Sequence, residues 1–413
     1  MKAEEKRPAA QPVRTFTAFQ HSDFRWMWAG QLISVAGSNM QLVAINWHIY
    51  LLTGSPVALG LIGLVRFIPS LVLSLAGGVY ADARDRRKIL FVTQSAMMVL
   101  TGMLVLSSGA WGNSVAVIYL LTAAIAGVEA FDGPAWQAIV PNLVPKAHLM
   151  NALSLTNVMR HTAIIVGPGL AGFVIAWKGV TAVYLINMIT FLAVLAPIVR
   201  MKTPTQKSLG ASRVSFSAMR EGVLFVLHSR ILLSTALLDF FSTLFSSATA
   251  LLPIFAREIL KVGPEGLGIL HAGKSIGAVF AGAGMSFAGD ARRKGRLVFY
   301  SVTVYAMATV LFGGSQWFIL SVFALIIIGA GDTVSAIMRQ NIRQNETPDQ
   351  MRGRMSSVMR IFSNSGPQLG NLEAGIVAAL IGAPLSVITG GTANLIFIAV
   401  LAWKVPRLRD YES

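Results

Sequence analysis

The sequence predicts an all-α membrane protein, with about twelve transmembrane helices in two six-helix bundles related by a pseudo-twofold axis. Three observations carry that prediction. The first is composition. Of 413 residues, 54% are hydrophobic and only 13% charged, whereas a soluble domain carries roughly 25% charged residues. The mean hydropathy is +0.64. The second is spacing. Long apolar runs alternate with short polar breaks, and the basic residues collect in every other break. The third is an internal repeat. Gly60-Leu-Ile-Gly-Leu-Val-Arg66 matches Gly268-Ile-Leu-His-Ala-Gly-Lys274 at an offset of 208, and Ala81-Asp82-Ala83-Arg84 matches Gly289-Asp290-Ala291-Arg292 at the same offset. Further on the offset falls to 200. There Asp132 matches Asp332 and Val158-Met159-Arg160 matches Val358-Met359-Arg360. Gly167-Pro168 matches Gly366-Pro367. A shortening near the third span of the second copy explains the change.

Each element follows in order. Residues 1–23 are polar and too long before the first apolar run to be a cleavable signal, and are read as a cytosolic tail. The first bundle, 24–200, holds spans at 24–52, 57–81, 89–107, 114–140, 149–176 and 180–199. Residues 201–229 are the one long polar break. Phe216, Met219, Val223 and Val226 recur there at three- and four-residue spacing, as in an amphipathic helix on the membrane surface. The second bundle, 230–405, holds spans at 231–255, 266–288, 297–313, 318–342, 355–381 and 385–405, and 406–413 is a second cytosolic tail.

Charge fixes the expected orientation. Loops on one side hold only Lys178, Arg257 and Lys261, while Arg66, Arg160 and Lys274 fall inside spans. Most of the remaining basic residues lie on the other side, which is therefore cytosolic together with both termini, in the cytoplasmic (inner) membrane. Trp111, Trp177 and Trp317 fall at outer span ends and Trp26, Trp28 and Trp403 at inner ends, as an aromatic belt does. The net charge of +16 would suggest nucleic acid in a soluble chain, but the loop bias accounts for it, and no nucleic acid is expected. There are no cysteines, so disulfides and thiolate metal sites are excluded. The six histidines show no metal-ligand spacing, and no metal or cofactor is expected.

The apolar run 57–80 stops at Asp82, and Arg84, Asp85, Arg86, Arg87 and Lys88 follow before the next run begins at Ile89. Two spans joined by so short a cationic turn form a helical hairpin with a cytosolic tip. The bland reading is a plain positive-inside loop, which needs only the arginines. The spacing Gly78-x-x-x-Asp82-x-x-x-Arg86-Arg87, however, resembles the loop between spans two and three of the major facilitator superfamily. Ala83 departs from that pattern where many members carry a basic residue. Asp85 stands where many carry glycine, and this resembles the branch of transmembrane secretion effectors typified by the enterobactin exporter and the macrolide efflux pumps. The resemblance implies a gate in which Asp82 pairs with helix-end amides, Arg86 or a basic residue of the other bundle. Asp290, Arg292 and Arg293 form the second-half copy.

Gly167-Pro168-Gly169-Leu170-Ala171-Gly172 resembles the antiporter signature of the same superfamily, with Ala171 replacing a glycine. Gly167, Pro168 and Gly172 also suit tight helix packing, and the proline frees a carbonyl. The family's basic residue in span four is missing. One pattern misleads: Gly268-Ile-Leu-His-Ala-Gly273-Lys274-Ser275 fits a phosphate-binding loop, but it lies in an apolar span rather than after a strand, and nucleotide binding is set aside.

Intramembrane charges are functional candidates. Arg66 and Lys274, repeat mates near the bilayer midplane, either pair with an acid such as Glu129 or Asp239 or attract an anionic group of the substrate. Asp132 with Arg160, and Asp332 with Arg360, sit at depths where adjacent spans could pair them. Glu129, Asp132, Asp239 and Glu373 are the candidate proton carriers, since an apolar surrounding raises a carboxyl pKa. The leading expectation is a secondary active transporter, not an enzyme. It exports a small amphipathic molecule, a drug or a siderophore, by alternating access, with protons as its coupling partner, and works as a monomer in the lipid bilayer. The alternatives are an importer or facilitator on the same fold and a non-transporting membrane scaffold.

Overall fold

The computed structural model describes residues 16–109, 112–201, 216–287 and 292–412, with the backbone alone at 75–83, 216–219 and 248. Among them no strand forms. Helix α1 spans Ser22–Thr53 and α2 spans Pro56–Ala83. Between them the Gly54 N–H closes α1 on the Tyr50 carbonyl at 2.9 Å. Ser55 Oγ then accepts from Ala58 N at 3.4 Å, with Pro56 in the first turn of α2. Cap and proline together start the new helix. Asp85 repeats the device for α3 (Arg86–Ser107), its carboxylate accepting from Arg87 N at 2.9 Å. Helix α4 is Val115–Ile139.

Helix α5, Leu149–Arg200, is two limbs, 149–178 and 180–200, broken at Gly179. Its φ of 78° is a left-handed backbone that glycine adopts without a Cβ clash. Gly382, at φ 88°, separates α11 from α12 in the same way. The remaining helices are α6 (Phe216–His228), α7 (Arg230–Phe245), α8 (Gly263–Phe287), α9 (Lys294–Gly314), α10 (Phe318–Asn345), α11 (Arg352–Ile381) and α12 (Ala383–Lys404).

Packing partners repeat between the halves. Helix α1 lies along α5, α2 along α4, and α3 against both α4 and α5. In the second half α7 lies along α11 and α12, α8 along α10, and α9 against α10 and α12. The halves join where α2 meets α11 and where α5 meets α8. Small residues permit these approaches. A Cβ on Gly167 would stand 2.5 Å from the Ala36 carbonyl oxygen of α1; one on Gly366, its repeat mate, would stand 2.9 Å from the Phe240 carbonyl oxygen of α7.

Two expectations change. Span seven is not continuous. It unwinds after Phe245, re-forms as a 3-10 turn at Ala248–Leu251 and one α-turn at Leu252–Ile254, and ends as a π-helix at Phe255–Ile259. Unwound backbone inside a bilayer needs partners; here the Ser246 carbonyl has one, and the Ser246 and Ser247 hydroxyls are held as well. Tyr305 OH donates to the Ser246 carbonyl at 3.2 Å, Asn394 Nδ2 to Ser246 Oγ at 2.9 Å, and Ser247 Oγ to Pro367 O at 3.3 Å. Helix α6 also does more than lie on a membrane surface. It docks on α11, where Val226 is buried against Met355, Val358 and Met359, and Arg354 pairs with Glu221.

Candidate transport cavity

A cavity of about 380 Å³ lies between the halves, bounded by α1, α2 and α5 on one side and by α8, α10, α11 and the unwound stretch after α7 on the other. That volume falls in the range of small-molecule sites. Among the described residues, eight helical segments are long and apolar enough to cross a membrane by length and composition. Helices α1, α8 and α11 are absent from that set, and all three line the cavity. Their polar residues Asn39, Asn46, His271, Lys274, Gln368 and Asn371 line it and contribute to their lower hydropathy.

Arg66 is ten residues into α2, roughly 15 Å along its axis. It donates to Glu129 of α4 at 3.2 Å. Both are partly exposed, and both border a smaller chamber of about 170 Å³ beneath the cavity, which also touches Ser363 and Asn364. Lys274 lines the main cavity opposite, with no ion pair among the described residues. One turn before it, His271 Nε2 is buried without a hydrogen-bond partner. Asp332 completes this charged wall on α10. Helices α8 and α10 touch here backbone to backbone, since a Cβ on Gly329 would stand 1.8 Å from the Lys274 carbonyl oxygen. Ser275 Oγ donates at 3.4 Å to the Ile164 carbonyl, four residues before Pro168 and freed by it.

The seams close at the end away from the chain termini. A Cβ on Gly172 would stand 2.4 Å from the Pro264 carbonyl oxygen and 2.8 Å from the Gly268 Cα. On the other seam, a Cβ on Gly375 would stand 2.6 Å from the Pro56 carbonyl oxygen and 2.9 Å from the Gly60 Cα. Beyond both, Tyr50 OH donates to Glu258, and the Arg257 guanidinium lies 5.9 Å from the Tyr50 ring centre. Tyr50 and Glu258 are 208 residues apart, the offset of the repeat.

Other expected pairings do not form. Asp132 is buried and accepts instead from Thr93 Oγ1 at 2.6 Å and Gln94 Nε2 at 3.0 Å. Arg160 is exposed on the outer face of α5. Asp332 lies at the cavity, and Arg360 is exposed on α11, with no ion pair between them. Asp239 does not meet Arg66 or Lys274. It is buried between Arg339 at 2.9 Å and Arg343 at 3.2 Å, with Ser363 donating to the same carboxylate. The two arginines were missed because they lie near a span end among other basic residues. Their spacing of four along α10, which sets them on one face, was the available signal. Glu373 is half-buried on α11 outside the cavity lining.

In the hairpin loop, the Gly78 and Asp82 side chains and all of Asp290 fall outside the described residues. Arg86 has a backbone partner among the described residues. Its guanidinium donates to the Ala138 carbonyl at 2.9 Å, and Arg87 donates to the Val199 carbonyl at 2.8 Å. Both satisfy carbonyls at helix C-termini, where a cation is favoured. In the second half Arg293 pairs with Glu412 at 3.3 Å, while Arg292 is exposed. The phosphate-loop pattern at Gly268–Ser275 lies inside continuous α8, where its amides are committed to the helix.

The comparisons agree with this geometry. A bacterial homologue of the lysosomal transporter Spinster, in an inward-facing, unoccupied conformation, superposes with a TM-score of 0.76 at 13% identity, over 95% of this chain and 99% of that one. A bacterial homologue of the iron transporter ferroportin, also inward-facing, gives 0.68 at 16% identity, over 92% and 98%. The enterobactin exporter EntS of Shigella boydii serotype 18 is 24% identical over 396 residues, 95% of this chain and 94% of its own. The family model described as transmembrane secretion effector matches residues 13–413. The chain thus belongs to the transmembrane secretion effectors, transporters of the major facilitator superfamily and not enzymes.

Proposed function

We propose that this protein exports a small amphipathic molecule, a siderophore or drug, by proton-coupled alternating access. In this reading about twelve spans form two bundles about a pseudo-twofold axis, and the end carrying both termini faces the cytosol. The conformation is inward-open: the glycine seams and the Tyr50–Glu258 contact close the outer end, and the smaller chamber leads toward the cytosol.

The carrying observation is the charged cavity on the line between the repeats, with a different device on each wall. On the first-half wall Arg66 is already engaged by Glu129. On the second-half wall Lys274 lines the space, and one turn before it His271 Nε2 is buried without a hydrogen-bond partner among the described residues. That wall is where an anionic oxygen of a catecholate or carboxylate would seat. Glu129, half-exposed beside the chamber, and Asp132, buried one turn nearer the cytosol, are the carboxylates placed to take up protons. Asp239 is committed to two arginines and serves structure. Siderophore export is favoured by the likeness to the enterobactin exporter over nearly the whole chain.

The test uses inverted membrane vesicles containing the full-length protein, energised to acidify their lumen. Enterobactin is expected to accumulate in them and to be released by an uncoupler. Lys274→Gln is expected to abolish its uptake while sparing that of a cationic dye. Uptake equal to that of empty vesicles for both probes would overturn the exporter reading.

A further inference from the structure

Two buried oxygens at the break in span seven have no hydrogen-bond partner among the described residues. They are Ser242 Oγ, in the last turn of α7, and Asn394 Oδ1, on α12. Both residues are sealed from solvent, Ser242 at 2% exposure and Asn394 at 0%. They also belong to one place. The Asn394 amide nitrogen donates to Ser246 Oγ at 2.9 Å and reaches the Ser242 carbonyl at 3.5 Å. A buried oxygen left unpaired is costly, and two together call for an occupant. The first half shows what differs. Helices α1 and α7 begin 208 residues apart, and so do α3 and α9, at Arg86 and Lys294. Ser34 therefore stands where the second half has Ser242, and its hydroxyl donates to Gln94 at 3.4 Å. The counterpart of Gln94 is Val302, a buried side chain that offers no bond. Helix α1 also runs unbroken past the point where α7 stops at Phe245.

We infer that this cluster is a binding site for a monovalent cation, Na+, held by Ser242 Oγ, Asn394 Oδ1 and the terminal carbonyls of α7. A hard cation takes oxygen ligands, and a half-helix end inside a membrane is a place where Na+ is coordinated. The last carbonyls of α7 carry the negative end of its dipole. One of them, on Phe245, abuts α12 a turn before Asn394: a Cβ on Gly390 would stand 2.1 Å from it. Two nearby donors are already spent, the Tyr305 hydroxyl on the Ser246 carbonyl and the Asn394 amide on Ser246 Oγ. All the ligands are neutral, which suits a single positive charge, whereas Ca2+ takes carboxylates. Asp332 supplies the compensating charge from α10. Its neighbour Gly331 packs on Tyr305, where a Cβ would stand 3.1 Å from the Tyr305 Cβ, and the Asp332 charge is felt at the Tyr305 hydroxyl. The ion ties α7 to α12, and Ser246 beside it lines the transport cavity. The site thus braces the broken wall of that cavity, whichever molecule the cavity carries.

Equilibrium binding of radioactive Na+ to the purified full-length protein in detergent tests it, with no substrate present. The wild type is expected to bind Na+ saturably, displaced by unlabelled Na+ and not by choline. Ser242→Ala should weaken binding by about tenfold, and Asn394→Leu should abolish it. Ser34→Ala, at the repeat position, should leave it unchanged. Thermal melting gives a second reading. The wild type should melt higher in Na+ than in choline at equal ionic strength. Ser242→Ala should melt nearly alike in both, and in choline no lower than the wild type, since its hydroxyl has no protein partner to lose. If Asn394→Leu elutes as aggregate, Ser242→Ala decides alone. Displacement by choline, binding undiminished in Ser242→Ala, or equal melting of the wild type in the two salts would each overturn the assignment and leave the two oxygens to a buried water. Neither assay uses a substrate or a gradient, so such a result would leave the exporter reading standing.

Discussion

The two halves are copies in outline and opposites in how they treat buried charge. In the first half, Asp132 is buried among neutral partners, Thr93 and Gln94, and Gln94 in turn accepts from Ser34 at 3.4 Å. No cation enters this network among the described residues. In the second half, Asp239 sits between two guanidiniums, with Ser363 and Thr235 completing the cluster. The divergence is local. Helices α1 and α7 begin 208 residues apart, at Ser22 and Arg230, and the same offset sets Gln31 where the second half has Asp239. Gln31 is itself buried, its Oε1 without a partner. One copy fixes its carboxylate between two cations, and the other holds a carboxylate among neutral donors.

The same contrast holds at the terminal end. Arg86 and Arg87 fasten α3 to the carbonyl ends of α4 and α5. Basic residues of the second-half loop instead hold the chain's own tail. Arg293 reaches Glu412, Arg296 reaches Asp410 at 3.5 Å, and Gly295 N donates to the Tyr411 carbonyl at 3.1 Å. Leu408 is fully buried beneath this contact.

The largest expected effect is on the Asp239 cluster. Asp239→Asn leaves Arg339 and Arg343 buried without a counter-charge, and such a broken pair costs about 3–5 kcal/mol. Thermal melting of the solubilised protein should show a large fall and expression should drop. Asp132→Asn should change stability by less than about 1 kcal/mol, because an amide oxygen still accepts from Thr93 and Gln94, yet gradient-driven efflux should stop. Equal stability losses in the two variants would erase the distinction between the halves.

A smaller effect is expected at the seams, where the halves should behave alike. Gly172→Ala and Gly60→Ala each place a methyl group against backbone of the other half, and overpacking of this kind costs about 1–3 kcal/mol. The same melting assay should find the two costs similar. A marked inequality would mean that one seam alone closes the outer end.

The smallest effect concerns the tail. Hydrogen bonding to Arg409, with the charges of Arg409 and Arg296 alongside, holds the Asp410 carboxyl below its ordinary range. A depressed carboxyl contributes stability above its unfolded pKa and loses it as pH falls through the folded one. Proteolytic release of the tail should therefore quicken only on strong acidification. The Arg86 and Arg87 side chains instead use carbonyls, which do not titrate.

Much of this was legible in sequence because depth is. A rise of 1.5 Å per residue put Arg66 and Lys274 at the level where the cavity lies, and the repeat placed them on facing walls, whereas the same count set Asp332 nearer the inner end beside Arg360. Rotation about a helix axis is not legible in the same way. Asp132 and Arg160 were matched by depth alone, but α5 turns Arg160 outward. The break in span seven left only a weak trace, the hydroxyl run Ser242, Thr243, Ser246, Ser247 and Thr249 with Pro253 beyond, because unwinding depends on partners on α9, α11 and α12 that no local pattern names.

The Tyr50–Glu258 contact joins equivalent positions of two copies of one ancestral unit. In a symmetric ancestor, assembled from identical units, the same place would have brought together two phenols or two carboxylates. Neither arrangement supplies a neutral donor facing a charged acceptor. The bond needs the two positions to differ, as they do in this chain. Fusion into a single chain thus allowed a closure that identical subunits could not have made.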